Sequence, residues 1–196
     1  MTNFPDPVLD NTPVAGQQTA VFAGGCFWCT EAVFELVDGV EDVISGYTGD
    51  TQARARYETV CSGNTRHAEA ILITYDAAKV TFGMLLKIFF SVAHDPTTKD
   101  RQGWDVGPQY RSAIFYASEE QKQTAEAYIG QLDEARVLAS PIVTEVSALD
   151  KFYSAEAYHQ NYAVNNRSNR YIVGVADPKV EKLKKMFPGC TLRRDA

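Results

Sequence analysis

The stretch AVFAGGCFWCTEAVFELV, residues 20–37, contains the turn on which the predicted fold depends. An apolar run ends at Ala23, two glycines follow, and apolar residues at helical spacing then begin near Phe27. The pattern predicts a strand over residues 19–23 and a helix over residues 27–37. Cys26 falls between them, where the unpaired backbone N–H groups of a helix start favour a thiolate and a lowered thiol pKa.

Strand-like and helix-like patterns alternate along the rest of the chain. Strands are predicted over four further segments: residues 40–47, 69–75, 111–116 and 142–146. Helices are predicted after the N-cap residues Thr81 and Ser118, and a terminal helix is predicted with Asp177 as its cap. The order β-α-β-β-α-β indicates an α+β fold: a ferredoxin-like split βαβ core with a mixed sheet and long loop-rich extensions.

The composition is that of one ordinary globular domain. The chain has 196 residues, of which 45% are hydrophobic and 22% charged, enough for a single substantial core. Residues 1–18 contain three prolines and no apolar block of a secretory signal, so we predict a loose N-terminal arm there. Residues 19–196 are predicted to form a single catalytic domain in the cytoplasm, a reducing compartment in which cysteines stay free.

The charge and hydropathy of the chain exclude two classes of partner. The net charge is -6, whereas proteins that bind nucleic acid or anionic membranes carry clusters of Lys and Arg. Apolar runs stay far below the roughly 20 residues that span a bilayer. We therefore expect neither nucleic acid nor a membrane as a partner. We also expect a monomeric or weakly associating protein.

Cys26 and Cys29 allow three interpretations. They lie one helical turn apart and could cycle through a disulfide, as in a thioredoxin-type oxidoreductase, but the bulky Phe27 and Trp28 between them favour a pocket for a small alkyl or thioether group. They could be small buried hydrophobic residues. They could bind zinc in a non-catalytic module, but no second ligand pair has suitable spacing, so no metal and no cofactor is predicted.

Several motifs resemble, in the expected order, those of the A-type peptide methionine sulfoxide reductases. The first is GCFWCTE, residues 25–31, which resembles the family's G-C-F-W-x-x-E signature. The others are SGYTG at 45–49, YETVCSG at 57–63, HAE at 67–69, HDPT at 94–97, DVGPQYRS at 105–112 and YHQ at 158–160. The resemblance extends over residues 20–187, and the family's α+β core is similar to the predicted fold.

The resemblance implies a thiol-based reaction at Cys26. This thiolate would attack the sulfur of methionine-(S)-sulfoxide, free or in proteins, releasing methionine and leaving a sulfenic acid. Phe27 and Trp28 would hold the methyl group of the substrate. A second cysteine, Cys29 or Cys190, would then form a disulfide that thioredoxin or a similar dithiol reduces. We favour Cys29 as this resolving thiol, because the helix fixes its distance from Cys26.

The resemblance also implies which groups would act on the sulfoxide oxygen. Glu31 would protonate it, kept partly neutral by the neighbouring aromatic rings. Tyr47 and Tyr110 would donate hydrogen bonds to the same oxygen, and Asp105 would orient the site. These four residues, together with Cys26, form the predicted catalytic set.

Overall fold

The computed structural model describes residues 4–10 and 16–192, and its centre is a six-stranded mixed sheet. The described residues form eight strands in two sheets: β1 Gln17–Gly24, β2 Val40–Thr48, β3 Ala68–Asp76, β4 Arg101–Gln102, β5 Asp105–Val106, β6 Ser112–Tyr116, β7 Glu145–Ala148 and β8 Phe152–Ser154. The sheet order is β7-β6-β1-β3-β2-β8, and β4 and β5 form a separate hairpin. Among these described strands, β6 and β7 are the only parallel pair. The central order β6-β1-β3-β2 is that of a split βαβ core, which confirms the predicted α+β class.

Six α-helices accompany the described part of the sheet. They are α1 Phe27–Phe34, α2 Tyr57–Cys61, α3 Phe82–Ile88, α4 Glu119–Glu134, α5 Tyr162–Asn165 and α6 Asp177–Met186. The predicted caps are confirmed, because the hydroxyls of Thr81 and Ser118 accept hydrogen bonds from backbone N–H groups of the first turns of α3 and α4. In the described ranges, no helix is both long and apolar enough to cross a bilayer.

Two predicted element starts are wrong. Strand β7 begins at Glu145 because the backbone N–H of Val143 pairs with the carbonyl oxygen of Pro96, 2.9 Å away, instead of joining the sheet ladder. Asp177 does not cap α6, because Ala176 before it is already helical and the π-helical turn Ile172–Ala176 runs directly into α6. Strand β8 was not predicted, since three residues are too few for a pattern.

Part of the predicted N-terminal arm is packed rather than loose. Phe4 is buried, and the carboxylate of Asp10 accepts a hydrogen bond from the backbone N–H of Gly83 at 2.9 Å. Asp6 forms an ion pair with Lys87 at 2.6 Å. Burial of an aromatic ring and satisfaction of a free N–H at the start of α3 both stabilise this attachment. The remainder of the arm before residue 16 lies outside the described residues.

The junction between β1 and α1 is held against the hairpin of β4 and β5. Gly25 has φ +86°, and a Cβ atom there would lie 2.6 Å from the side chain of Gln102. A glycine is therefore required both for the backbone turn and for the close approach of the hairpin. This contact places the hairpin beside Cys26, at the N-terminus of α1.

Candidate active site

A pocket of about 200 Å³ opens at the N-terminus of α1. It is lined by side chains from five separate parts of the chain: Cys26, Phe27, Trp28, Tyr57, Glu69, Asp105, Tyr110 and Tyr171. Five of the predicted site residues are among them, whereas Glu31 and Tyr47 are not. A larger surface cleft of about 950 Å³ contains none of the predicted site residues.

Cys26 is buried, and its thiol is not activated in the way that the sequence indicates. Burial raises its pKa well above the ordinary value, and the nearby Cys29 and Glu69 reinforce this shift. The helix start does not outweigh burial, because the backbone N–H of Phe27 already donates to the carboxyl group of Glu69 at 3.1 Å. Burial therefore favours the protonated thiol over the thiolate.

Glu69 is one of two carboxyl groups that line the pocket, together with Asp105. It lies near the start of β3, is 2% exposed, and has its pKa raised to about 8 by burial. A carboxyl group with this pKa keeps its proton over much of the neutral range and is suited to be a general acid. The structure thus places Glu69, and not Glu31, in the pocket that Cys26 lines.

Glu31 faces another part of the protein. Five positions along a helix correspond to a rotation of about 140° from Cys26, which turns this side chain away from the pocket. Its carboxyl group accepts hydrogen bonds from the Ser45 hydroxyl at 3.1 Å and the Tyr162 backbone N–H at 3.3 Å. Burial raises its pKa to about 7. Glu31 therefore joins α1 to β2 and to the start of α5.

Tyr47 does not line the pocket either, whereas Tyr57 on α2 does. The Tyr47 hydroxyl is committed to one carboxylate oxygen of Glu156 at 2.9 Å. The other oxygen of Glu156 accepts from the backbone N–H of Tyr57, also at 2.9 Å, which fixes the start of α2. Burial raises the pKa values of Tyr57 and Tyr110, so these two of the three phenols that line the pocket stay protonated and available as donors.

Asp105 and Tyr171 form a hydrogen-bonded pair in the wall. The Tyr171 hydroxyl donates to the Asp105 carboxylate at 2.5 Å and accepts a weak hydrogen bond from the Cys29 thiol at 3.9 Å. Asp105 is thus within the predicted site, but its direct partner is a tyrosine that the sequence did not indicate. This pair connects the β4–β5 hairpin with the segment that leads into α6.

Trp28 is fixed on both its face and its edge. Its ring stacks on Tyr162 with centroids 3.8 Å apart and an interplanar angle of 8°. Its indole N–H donates to Nδ1 of the buried His159 at 3.0 Å, so His159 carries its proton on Nε2 when neutral. Phe27 packs 5.1 Å from the same imidazole ring. The two aromatic residues therefore form a rigid apolar wall, as the sequence predicts.

Three lining residues were missed, although two of them had a sequence signal. Glu69 closes the HAE motif and opens the apolar stretch EAILITY, where a buried carboxyl group is unusual and points to function. Tyr57 opens the YETVCSG motif. Tyr171 has no comparable signal, because only the tertiary fold brings its segment to Asp105.

All four cysteines are free thiols. Cys29 is fully buried one turn after Cys26, and the two residues belong to the same packed cluster. Cys61 lies on α2, and Cys190 lies near the C-terminal end of the described chain. Within residues 4–10 and 16–192, no group of three or more His, Cys, Asp or Glu side chains could hold a metal ion.

The raised pKa of Glu31 predicts a pH dependence of stability. The pKa of Glu31 is about 7 in the folded state, whereas a glutamate in an unfolded chain has a pKa of about 4.3. The contribution of Glu31 to the stability of the fold is therefore fully present only below a pH of about 4.3. This contribution is lost as the pH rises through about 7. We expect the free energy of unfolding of Glu31→Gln, from urea denaturation at pH 5 and pH 8, to fall less with pH than that of the unmodified protein. Glu69 keeps part of the dependence in both proteins, and an equal or larger fall in the variant would contradict the assignment.

Comparisons with known proteins all give the same family. The model of the peptide methionine sulfoxide reductase family matches residues 18–189. Peptide methionine sulfoxide reductase MsrA 2 of Synechocystis is 52% identical over 94% of this chain and 88% of its own length, and MsrA of Deinococcus radiodurans is 49% identical over 89% and 84%. Among solved structures, methionine sulfoxide reductase A of Corynebacterium diphtheriae has a TM-score of 0.69 and 34% identity over 84% of each chain. Reduced Mxr1 of Saccharomyces cerevisiae has a TM-score of 0.74 and 29% identity over 85% of this chain and 94% of its own. The chain is therefore an enzyme of the peptide methionine sulfoxide reductase family.

Proposed function

We propose that the enzyme reduces the S epimer of methionine sulfoxide, free or in proteins, through attack of Cys26 on the sulfoxide sulfur. One observation carries this proposal: the Cys26 thiol and the protonated carboxyl group of Glu69 line one small pocket with two phenols. Phe27 and Trp28 supply an apolar wall of the right size for a methyl group. The arrangement offers a nucleophile, an acid and a thioether site within one cavity.

The first step conserves atoms and electrons without a co-reactant. The Cys26 thiolate attacks the sulfoxide sulfur while Glu69 gives its proton to the sulfoxide oxygen, and the proton of the thiol returns to Glu69. The oxygen passes to the Cys26 sulfur and the methionine thioether leaves. The substrate is reduced by two electrons and Cys26 is oxidised by two, to a sulfenic acid.

Two phenols and a carboxylate complete the site. Tyr57 and Tyr110 donate hydrogen bonds to the sulfoxide oxygen as negative charge develops on it, so Tyr57 takes the role that the sequence gave to Tyr47. Asp105 acts by holding the hydroxyl of Tyr171 at 2.5 Å, against the two cysteines. Asp105 is thus a positioning residue.

Cys29 is the thiol that closes the cycle. It is already in contact with Cys26, whereas Cys190 is held at the far end of α1, about 12 Å away by the length of an eight-residue helix. The carbonyl oxygen of Cys190 accepts a hydrogen bond from the backbone N–H of Asp38 at 2.8 Å, and Leu192 bonds back to Leu36 at 2.9 Å. Cys190 would have to break this attachment to reach Cys26. The Cys29 thiolate attacks the sulfenic acid, a disulfide forms, and hydroxide leaves to become water.

We expect Cys29→Ser to leave the sulfenic acid on Cys26 unresolved after one turnover. Dimedone should label Cys26 in this variant, peptide mapping should find no intramolecular disulfide, and steady-state turnover with a dithiol protein should fall strongly. Cys190→Ser is the matched control, and it should keep the Cys26–Cys29 disulfide and the rate. A Cys26–Cys190 disulfide in Cys29→Ser with undiminished turnover would assign resolution to the tail.

The disulfide would be reduced by thioredoxin or a similar dithiol protein. Support comes from Mxr1 of Saccharomyces cerevisiae, which has also been solved in complex with Trx2. Of the two sulfur atoms of a Cys26–Cys29 disulfide, only that of Cys26 lines the pocket, so it is the one that a thiolate of such a protein would attack.

The epimer and the reaction are tested together with the separated S and R sulfoxides of N-acetylmethionine. The S epimer should be consumed and the R epimer left intact, because the methyl wall and the oxygen donors lie on fixed sides of the sulfur. Equal rates for the two epimers would contradict the proposed arrangement of the pocket.

A further inference from the structure

We infer that Trp104 and Tyr158 form an aromatic rim that binds apolar side chains on either side of an oxidised methionine in an extended polypeptide. This inference rests on the proposed function and adds a substrate class to it. The preferred substrate would be a methionine sulfoxide within an apolar, unfolded segment.

The two residues stand out from all other aromatic side chains of the protein. The chain has 10 Phe, 10 Tyr and 2 Trp, and the structure describes all of them. Only Trp104, at 94% exposure, and Tyr158, at 61%, are exposed. Single exposed apolar residues are normal, but Trp104 directly precedes Asp105 of the pocket, and Tyr158 packs on His159, which also contacts Tyr57 of the pocket.

Trp104 is held rigidly at one part of the pocket mouth. It lies in the two-residue turn between β4 and β5, after Gly103 with φ +59°, and directly precedes Asp105. Gln102 and Asp105 are opposite each other in the hairpin, so their side chains share one face, which packs on Gly25 and lines the pocket. The indole thus stands in solvent at the tip of a hairpin that is fixed against the site.

Tyr158 lies at another part of the mouth. Its ring is 4.1 Å from the ring of His159, and the ring of Tyr57 is 4.4 Å from the same imidazole. Tyr57 lines the pocket, so Tyr158 is one imidazole ring away from the phenol side, while Trp104 is adjacent in the chain to Asp105. In the inferred complex, a polypeptide whose sulfoxide enters the pocket would pass close to both.

The chemistry of the substrate explains why the rim is apolar. Methionine is among the residue types most often buried, and its conversion to a polar sulfoxide disrupts packed cores. Segments that then become accessible carry apolar neighbours along the chain. In an extended segment these neighbours follow at about 3.3 Å per residue, within reach of side chains at the mouth.

The test compares the double variant Trp104→Ala/Tyr158→Ala with the unmodified enzyme on three substrates. These are acetyl-Leu-methionine sulfoxide-Leu-amide, its Gly-flanked counterpart and N-acetylmethionine sulfoxide, with dithiothreitol as the reductant. We expect kcat/KM to fall about tenfold for the Leu-flanked peptide, through KM, as for the loss of partial burial of apolar side chains. Both other substrates should be reduced at unchanged rates.

Two further variants control for nonspecific effects. Trp104→Phe/Tyr158→Phe keeps both rings and should restore much of the preference for Leu flanks. Val106→Ser removes an exposed apolar side chain from the same hairpin, at the position paired with Arg101 and not with Gln102. It should leave kcat/KM unchanged for all three substrates.

The outcomes separate this inference from the proposed function. The ratio to compare is kcat/KM for the Leu-flanked peptide divided by kcat/KM for the Gly-flanked peptide. If this ratio is the same in the double variant and the unmodified enzyme, the aromatic rim is wrong but the proposed reaction stands. A loss that appears only when thioredoxin replaces dithiothreitol would overturn it too, since the surface would then serve the reductant. An unmodified enzyme that reduces none of the three substrates would overturn both.

Discussion

Replacement of Glu69 by Gln is expected to slow methionine formation by about 10²–10⁴-fold, the usual contribution of a positioned general acid. Glu69 lines the pocket, its pKa is raised to about 8 by burial, and its carboxyl group accepts the backbone N–H that begins α1. The amide keeps the size and the acceptor oxygen of the side chain but has no proton to give to the sulfoxide oxygen. The loss should therefore appear in the chemical step.

Glu31→Gln is the matched control for this change. Both side chains are buried glutamates with raised pKa values, but only Glu69 lines the pocket. We expect the Glu31 variant to form methionine at close to the normal rate in a rapid-quench experiment with limiting substrate. A strong loss of methionine formation in Glu31→Gln, with a normal rate in Glu69→Gln, would identify Glu31 as the general acid instead.

The second large effect is expected for Cys26→Ser, which should reduce methionine formation to the uncatalysed level. A serine hydroxyl is a much weaker nucleophile than a thiolate and cannot be oxidised to a sulfenic acid, so no electron pair is available for the sulfoxide. Because Cys26 is 8% exposed in a packed wall, the isosteric change should preserve the fold. Product analysis by chromatography measures the effect.

Cys190→Ser controls for the loss of a thiol elsewhere in the chain. It should form methionine normally in the first turnover, since Cys190 lies at the other end of α1. Residual activity of Cys26→Ser above the background of the heat-treated protein would mean that another cysteine carries the reaction.

The sequence predicts the fold because its local signals agree with one another. The strand, the two glycines and the helix around Cys26 give the first βαβ half, and Thr81 and Ser118 cap helices where expected. The order of strands then leaves few ways to close the sheet. Short elements such as β8 were not predicted, because their pairing is decided by tertiary contacts.

The site was less predictable, since proximity along the chain is a poor guide to proximity in space. Glu31 is close to Cys26 in sequence but is rotated around the helix, whereas Glu69 comes from the strand that passes beneath the helix start. The same reasoning applies to Tyr47, whose phenol is occupied by Glu156. Cys26, Phe27, Trp28, Asp105 and Tyr110 do line the pocket, but Glu31 and Tyr47 lie in motifs of the same kind and do not, so a motif alone does not decide which side chains meet.

The thiol pKa shows a second limit of sequence reasoning. A helix N-terminus predicts a stabilised thiolate at Cys26, but that prediction assumes free N–H groups. The carboxyl group of Glu69 occupies one of them, and burial then dominates. In the proposed reaction, the thiol would therefore be activated only when a substrate in the pocket takes the proton of Glu69.

The most direct test of the account is a single turnover of the reduced enzyme without any added reductant. Incubation with an excess of methionine-(S)-sulfoxide should yield about one methionine per chain, since one thiol pair supplies two electrons. The free thiols should fall from four to two as Cys26 and Cys29 form their disulfide. A methionine yield near zero, or methionine formed without loss of thiols, would contradict reduction by Cys26.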